Sequence, residues 1–190
     1  MQIQYFKDLP LSMEVMKSIE EFGFSNLFPI QAQAITPLLE GKDVIGQAQT
    51  GTGKTAAFGI PMVERLDPEV KNVQGLVLVP TRELAVQVAG HISLIGKYAK
   101  LKVLAVYGGE PIERQIHALE SGVQIVVGTP GRIIDLLERR ILKLALVKVV
   151  VLDEADRMLD MGFIDDIEYI LSRVPANRQT SLFSATIDQS

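Results

Sequence analysis

The chain of 190 residues has no cysteine and only two histidines, His91 and His117. Without cysteine there is no disulfide scaffold, no thiol nucleophile and no thiolate metal site. Two isolated histidines leave nothing from which to build a His-rich zinc centre. Long apolar runs are lacking too. None approaches the ~18 residues of a membrane span, and the opening Met1–Asp8 has no apolar signal-peptide core. No internal repeat, low-complexity tract or long Gly/Ser linker interrupts the sequence. These absences predict a soluble, cytoplasmic chain with no membrane partner. What is present is apolar material: 47% of the residues are hydrophobic and 22% charged. That suffices for a sizeable core and argues against disorder, and the length suits one domain.

The net charge is −4, from 19 basic and 23 acidic side chains. At first sight this opposes a nucleic-acid partner, because neutralising phosphates takes Lys and Arg. The charge is unevenly placed, however. Residues 149–190 hold three basic and eight acidic side chains, a balance of −5, whereas residues 1–148 hold sixteen and fifteen, a balance of +1. The acidity is local, so the overall charge decides little about partners.

Short apolar, β-branched runs alternate with longer amphipathic stretches. Strands are expected at Asp43–Gln47, Gly75–Val79, Val103–Tyr107, Val123–Val127, Val147–Leu152 and Thr180–Phe183. Each is apolar nearly throughout and bounded by Gly, Pro, Asp or Ser, as in strands covered on both faces. Between them lie helical patterns such as Thr81–Tyr98, with Leu84, Val88 and Ile92 at helical spacing behind a Thr81 cap. Such alternation predicts an α/β fold, a three-layer α/β/α sandwich on a mostly parallel sheet with right-handed crossovers. Ligands on such sheets bind beyond the carboxyl ends of the strands. Residues 1–42 read differently, as a helical cap. Ser12 caps a helix bearing Val15, Met16, Ile19 and Phe22 that stops at Gly23, and a second helix runs from Gln31 to Leu39. Pro37 is costly inside that second helix unless it kinks or restarts there. The expected organisation is a single domain, with the cap over 1–42 and a phosphate-loop core over 43–190.

After the first strand comes Ala48-Gln49-Thr50-Gly51-Thr52-Gly53-Lys54-Thr55, matching the phosphate-loop pattern G-x-x-x-x-G-K-[ST] with Ala48 in place of the first glycine. Gly51 and Gly53 let the backbone curl so that successive N–H groups face phosphate oxygens. Lys54 supplies a point charge to the β- and γ-phosphates, and Thr55 offers a hydroxyl to Mg²⁺. The following helix adds its N-terminal dipole. The same residues also fit the dinucleotide pattern G-x-G-x-x-A, but that reading explains neither Lys54 nor Thr55. About a hundred residues later, Val149–Leu152 runs into Asp153-Glu154-Ala155-Asp156. An acidic pair at the end of a buried strand is what a magnesium-dependent nucleotide hydrolase needs. Asp153 holds Mg²⁺ through its water shell and Glu154 orients or deprotonates the attacking water. The bland alternative is a helix start enriched in acids by the dipole.

Asp153-Glu154-Ala155-Asp156 resembles the signature of the DEAD-box family of ATP-dependent RNA helicases. Pro80-Thr-Arg-Glu-Leu-Ala85, Gly108-Gly109, Thr129-Pro-Gly-Arg132 and Ser184-Ala-Thr186 match that family in order, over nearly the whole chain. The resemblance implies the first of two RecA-like domains, with ATP and Mg²⁺ as cofactors, RNA as partner and ATP hydrolysis coupled to duplex unwinding or remodelling of RNA–protein complexes. It implies that Gln31 reads adenine, its carboxamide meeting N6 and N7 together, and that Phe6 stacks on the base. Leu27-Phe28 stands where the family has Pro-Thr, so a threonine hydroxyl is missing from this loop. Pro80, Thr81, Arg82, Gly109, Thr129, Pro130, Gly131 and Arg132 are implied to line the RNA groove through backbone contacts, and Asp156, Ser184 and Thr186 to couple the two sites. Both threonines also suit simple helix capping, and Arg139-Arg140 is either a wider basic rim or a solvated pair. His91 and His117 read as helix-surface positions, and Gly162-Phe163 as helix packing.

The resemblance further implies a second, C-terminal RecA-like domain outside this chain, carrying an arginine finger worth about 10³–10⁵ in rate in related phosphoryl transfers. Alone, this half is expected to be nearly inactive. Two other classes compete. Another phosphate-loop ATPase, such as a transport enzyme, would lack RNA stimulation. A non-enzymatic RNA- or protein-binding module would not need Lys54, Asp153 and Glu154 intact.

Overall fold

The computed structural model describes residues 4–187. Short Val-, Ile- and Leu-rich segments cannot leave their backbone polar groups unpaired once buried, so they pair with one another. Among the described residues, β1 (Val44–Gln47), β2 (Gly75–Leu78), β3 (Val103–Val106), β4 (Ile125–Gly128), β5 (Val149–Asp153) and β6 (Gln179–Ser184) form one sheet. Its order is β1-β6-β5-β2-β4-β3, with every neighbouring pair parallel. The strands start and stop within two residues of the expected segments. All residues of β2, β4 and β5 are buried, as doubly covered strands should be. The expectation of cover on both faces fails at the edges. β1 leaves Ile45 70% exposed, and three of four residues in β3 are only half-buried.

Side-chain alternation divides the core. Val77, Val127 and Val151 face a layer built from α1 (Met13–Glu21), α2 (Pro29–Leu39), α3 (Lys54–Arg65) and α4 (Arg82–Ile95). Leu76, Val126 and Val150 face α5 (Ile112–Glu120), α6 (Pro130–Glu138), α7 (Ala155–Asp160) and α8 (Ile164–Ser172). This is the expected three-layer sandwich, RecA-like in its parallel sheet. Right-handed crossovers carry the chain one way along the sheet through α3 and α4, and back through the helices of the other face.

The caps are local chemistry. The Ser12 hydroxyl accepts from Val15 N–H at 3.3 Å and the Thr81 hydroxyl from Leu84 N–H at 3.3 Å. α4 ends at Ile95, three residues short of the expected Tyr98, because Gly96 caps it. α2 runs through Pro37 without a restart. The proline forgoes the N–H bond to the Gln33 carbonyl one turn back, and the helix still runs on to Leu39. The helical cap is tied to the core at both ends. Ser12 N–H and Oγ donate to the Glu64 carboxylate of α3 at 2.8 and 2.9 Å. The Gln179 amide of β6 donates to the carbonyls of Leu38 and Lys42 at 2.9 and 2.7 Å.

Candidate functional site

A parallel sheet collects its strand-to-helix loops along one edge, and here those loops separate into two neighbouring groups. The loops after β1 and β5, together with α2 and α4, surround a cavity of about 390 Å³. Gly51, Lys54, Thr55, Asp153 and Glu154 form its inner end, Gln31, Phe24 and Phe28 one wall, and Leu84, Gln87, His91 and Leu94 of α4 the other.

The phosphate loop is built as its residue types require. Gly51 and Gly53 have φ of +82° and +83°, a region costly for side chains with a Cβ. Ala48 is absent from the positive-φ positions and pairs through its N–H with the Ser184 carbonyl at 2.9 Å, so no glycine is needed there. Thr50 is exposed, and the Thr52 hydroxyl donates to the Gln49 carbonyl at 2.5 Å. Lys54 is 7% exposed and its Nζ lies 3.4 Å from Asp153 Oδ1. That oxygen also accepts Glu154 N–H at 3.0 Å. Burial pushes the Asp153 carboxyl above its usual range, against the pull of the Lys54 ammonium and the Glu154 N–H. Thr55 and Asp153 offer two oxygen donors, and no group of three metal-ligating side chains occurs among the described residues. That donor set fits Mg²⁺, which keeps most of its waters and takes its remaining ligands from phosphate oxygens. Glu154 is held in the left-handed region (φ 52°, ψ 49°), with Arg157 Nη1 3.4 Å from its carboxylate.

Gln31 is 3% exposed. Its Oε1 accepts Phe28 N–H at 2.9 Å and its Nε2 donates to the Gly53 carbonyl at 3.1 Å. One lone pair and one N–H remain, the pair a bidentate contact with adenine requires. A Cβ at Gly53 would collide with Gln31 Nε2, so the glycine also makes room for the carboxamide. Phe28 stands at the N-cap without an oxygen to offer, and Gln31 performs the one capping bond that is left.

Phe6 requires correction. Its ring is 2% exposed and does not line the cavity. A 3-10 turn, anchored by Phe6 N–H to the Ser25 carbonyl at 3.2 Å, tucks it beneath Phe24, ring centroids 6.1 Å apart and planes inclined by 28°. Phe22, Phe24 and Phe28 line the cavity instead, the last two 45% and 51% exposed. No spacing in Phe22–Phe28 distinguishes an inward ring from an outward one, and no sequence pattern around His91 marks the side of α4 that turns toward the cavity. Replacing Phe6 with Ala should lower stability by about 3–5 kcal/mol, the usual scale for an aromatic lost from a core. Phe24→Ala should leave stability nearly unchanged and weaken adenine-nucleotide binding by about 1–3 kcal/mol, the scale of base stacking. Urea unfolding and ADP titration of both variants check this, and a Phe6→Ala protein of normal stability but poor affinity would reverse the assignment.

The second group of loops follows β2, β4 and β3. Arg82 is half-exposed, lies over the Tyr107 ring at 5.0 Å and sits 3.7 Å from Glu110. Gly109, at φ +81°, would bring a Cβ to 3.5 Å from Arg82 Nη1. Pro80 and Pro130 are buried and Gly131 is exposed at the start of α6. Thr129 makes no cap bond, unlike Thr81, leaving its half-buried hydroxyl outside the helix's own hydrogen bonding. Arg132 is only 13% exposed. It is engaged internally, donating to Gln115 Oε1 at 3.3 Å and the Glu110 carbonyl at 3.1 Å. It therefore braces the β3–α5 loop that carries Gly109 instead of standing free. Arg139 and Arg140 do not widen this rim, because they lie at the far end of α6, about 13 Å away at 1.5 Å per residue.

Asp156 joins the last strand to α7. Its Oδ2 accepts Thr186 N–H and Oγ1 at 3.1 and 2.9 Å, while its N–H donates to the Ser184 hydroxyl at 3.3 Å. Burial would raise this carboxyl, but the hydrogen bonds it accepts from Thr186 and Arg157 N–H hold it below its usual range.

A phosphate loop, a lysine–aspartate pair beneath it and a glutamine-lined cavity, all on the carboxyl edge of a parallel sheet, define a nucleotide-binding α/β domain. The family model described as DEAD/DEAH box helicase matches residues 28–190, and the chain belongs to that family. It is 60% identical over 182 residues to the DEAD-box ATP-dependent RNA helicase CshA of Geobacillus kaustophilus, covering 96% of this chain and 39% of that protein. With CshA of Bacillus subtilis the identity is 58%, covering 96% and 37%. Among solved structures, a DEAD box protein from the hyperthermophile Methanococcus jannaschii superposes with TM-score 0.92 at 41% identity, over all of this chain and 52% of that one. A hypothetical ATP-dependent RNA helicase from Sulfolobus tokodaii gives 0.84 at 44% identity, over 94% and 52%. The chain thus spans under two-fifths of the length of these curated relatives. No helix among the described residues is long and apolar enough to cross a membrane.

Proposed function

We propose that this chain is the ATP- and RNA-binding N-terminal half of a cytoplasmic DEAD-box RNA helicase, working with a second RecA-like domain that supplies the other side of both sites. The observation that carries the reading is the division of one sheet edge. The nucleotide cavity lies beyond β1, β6 and β5, and the Arg82–Gly109–Thr129 surface lies beyond the neighbouring β2, β4 and β3. In this reading Mg²⁺·ATP sits on the phosphate loop with Thr55 and Asp153 toward the metal, Lys54 on the terminal phosphates, Glu154 on the attacking water and Gln31 on the adenine. Single-stranded RNA lies on Thr81, Arg82, Gly109, Thr129 and the neighbouring Pro80, Pro130 and Gly131 through its sugar–phosphate backbone, with Arg132 holding that surface in shape. Asp156, Ser184 and Thr186 link the two. Residues 1–42 are the base-recognition cap and 43–190 the catalytic core of one domain.

The test is phosphate release by the chain alone and by the chain joined to a second RecA-like domain, each with and without RNA. The chain alone should show little turnover, because no arginine neutralises the far side of the γ-phosphate. The two-domain form should show RNA-stimulated hydrolysis. In it, Gln31→Ala should weaken ATP by about 1–3 kcal/mol and leave the weaker GTP nearly unchanged. Equal losses for both nucleotides would remove Gln31 from base recognition, and robust turnover by the chain alone would overturn the two-domain mechanism.

A further inference from the structure

The opposite edge of the sheet, where the strands begin, carries a second cleft of about 330 Å³. It lies where the chain enters β2 and β4 and where α5 and α6 end. The strands, four to six residues long at about 3.3 Å each, separate it from the nucleotide loops by at least ~13 Å. Three cationic side chains line it, Lys71, Arg140 and Lys143, together with Asn72 and a single carboxylate, Glu120. None of the three cations belongs to an ion pair among the described residues, whereas the neighbouring Arg139 is bonded to Asp135 at 2.7 Å.

The cleft is rigidly constructed. Lys71 follows a turn held by two buried glutamines. Gln74, 0% exposed, accepts Asp67 N–H at 3.0 Å and donates to the carbonyls of Asp67 and Val70 at 2.8 and 3.1 Å. Gln124, 3% exposed, donates to the carbonyls of Pro68 and Val70 at 3.3 and 3.2 Å. Gly122 presses on the Lys71 stem so closely that a Cβ there would lie 3.0 Å from that of Lys71.

Arg140 sits just past the end of α6 at φ 59°. The bonds from Arg140 N–H to Leu137 and from Ile141 N–H to Leu136, at 2.9 and 3.0 Å, form the helix-ending loop that normally takes glycine. α1, α2, α5 and α7 all place a glycine with positive φ beyond their ends: Gly23, Gly41, Gly122 and Gly162. Arginine at this position is strained, since left-handed backbone is unfavourable for residues with a Cβ. It brings a third cation to the cleft beside Lys71 and Lys143. Backbone strain of this kind clusters at functional sites, and three cations without an ion-pair partner among the described residues, on a fixed frame, suit an anionic ligand.

We propose that this cleft is a second phosphate-binding site, independent of the nucleotide cavity, which takes phosphate groups of an RNA backbone or of a small phosphate ligand. The test is an NMR titration of the isotope-labelled chain, first with inorganic pyrophosphate and separately with a ten-nucleotide oligouridylate, read residue by residue. Saturable amide shifts are expected at Lys71–Val73 and Arg140–Lys143, distinct from any at Gly51–Thr55. The triple variant Lys71→Gln, Arg140→Gly, Lys143→Gln should weaken binding at the cleft at least tenfold and leave the phosphate-loop shifts intact. Arg140→Gly alone, at a position where glycine relieves strain, should fold at least as well as the parent and weaken the cleft in the same direction. Saturation by pyrophosphate alone identifies a small-phosphate site. Saturation by the oligonucleotide, with the log–log salt slope falling by about 2 in the triple variant for three lost cations, identifies an RNA backbone. Shifts confined to the carboxyl edge of the sheet, or cleft shifts that survive the triple variant, would overturn the proposal.

Discussion

Lys54→Ala should abolish measurable nucleotide binding and also lower the stability of the free domain at neutral pH by about 3–5 kcal/mol, the scale for leaving half of a buried ion pair behind. The first effect follows from losing the one side-chain cation of the phosphate loop. The second follows from Asp153, which is 2% exposed and has the Lys54 ammonium 3.4 Å away. Without that ammonium a carboxylate already raised by burial has only the Glu154 N–H to support its charge. Domains are typically stable by about 5–15 kcal/mol, so this loss is large. It should shrink as the pH falls, since protonating Asp153 removes the buried charge. Adding Asp153→Asn to Lys54→Ala should therefore recover much of the stability and none of the binding. Urea denaturation at neutral and acid pH, beside a fluorescent-ADP titration, separates the two effects. Binding restored by the double variant would mean that Lys54 acts only by stabilising the fold.

Glu154→Gln should leave Mg²⁺·ATP affinity nearly intact and reduce hydrolysis by the two-domain protein by about 10²–10⁴, the usual contribution of a positioned general base. The substitution keeps shape and hydrogen-bonding length but removes the basic oxygen. Glu154 also holds an unfavourable backbone conformation, φ 52° and ψ 49°, between β5 and α7. Strain of this kind persists where the surrounding structure over-determines it, often at functional sites. Glu154→Gly should then be as stable as the parent or slightly more so, and just as inactive as Glu154→Gln. Single-turnover hydrolysis and thermal unfolding give both readings. A Glu154→Gln protein that fails to bind ATP would place Glu154 in the phosphate cradle instead of on the water.

Much of this architecture is legible in the chain because its causes are local. The strands are short apolar runs closed by Gly, Pro, Asp or Ser, and each forms within two residues of its expected place. Ser12 and Thr81 cap helices because their hydroxyls reach backbone N–H groups three residues on. Gly51 and Gly53 adopt the positive φ that residues with a Cβ avoid, which is why glycines at that spacing announce a phosphate loop. Pro37 misleads for a different reason: the bond it gives up to the turn before it is a local cost, and the packing of α2 against α3 and the sheet outweighs it.

The order β1-β6-β5-β2-β4-β3 was decided only by tertiary packing, because it depends on pairings between segments far apart in the chain. The same holds for orientation. Phe6 and Phe24 are alike as residues, yet one ring lies in the core and the other lines the cavity at the phosphate loop, and a hydrophobic ring suits either place. Arg132 resembles a free phosphate ligand until Gln115 and Glu110, brought by another crossover, engage it. Arg140 reads as an extension of the Arg132 surface until α6 places it at the opposite edge of the sheet, beside Lys71 and Lys143. Sequence thus determined which elements form and which residue types can do phosphate chemistry, since backbone preference, capping and charge act over a few residues. Tertiary structure decided which of those residues meet, which face solvent and which are already engaged, since burial and long-range hydrogen bonds belong to the assembled layers.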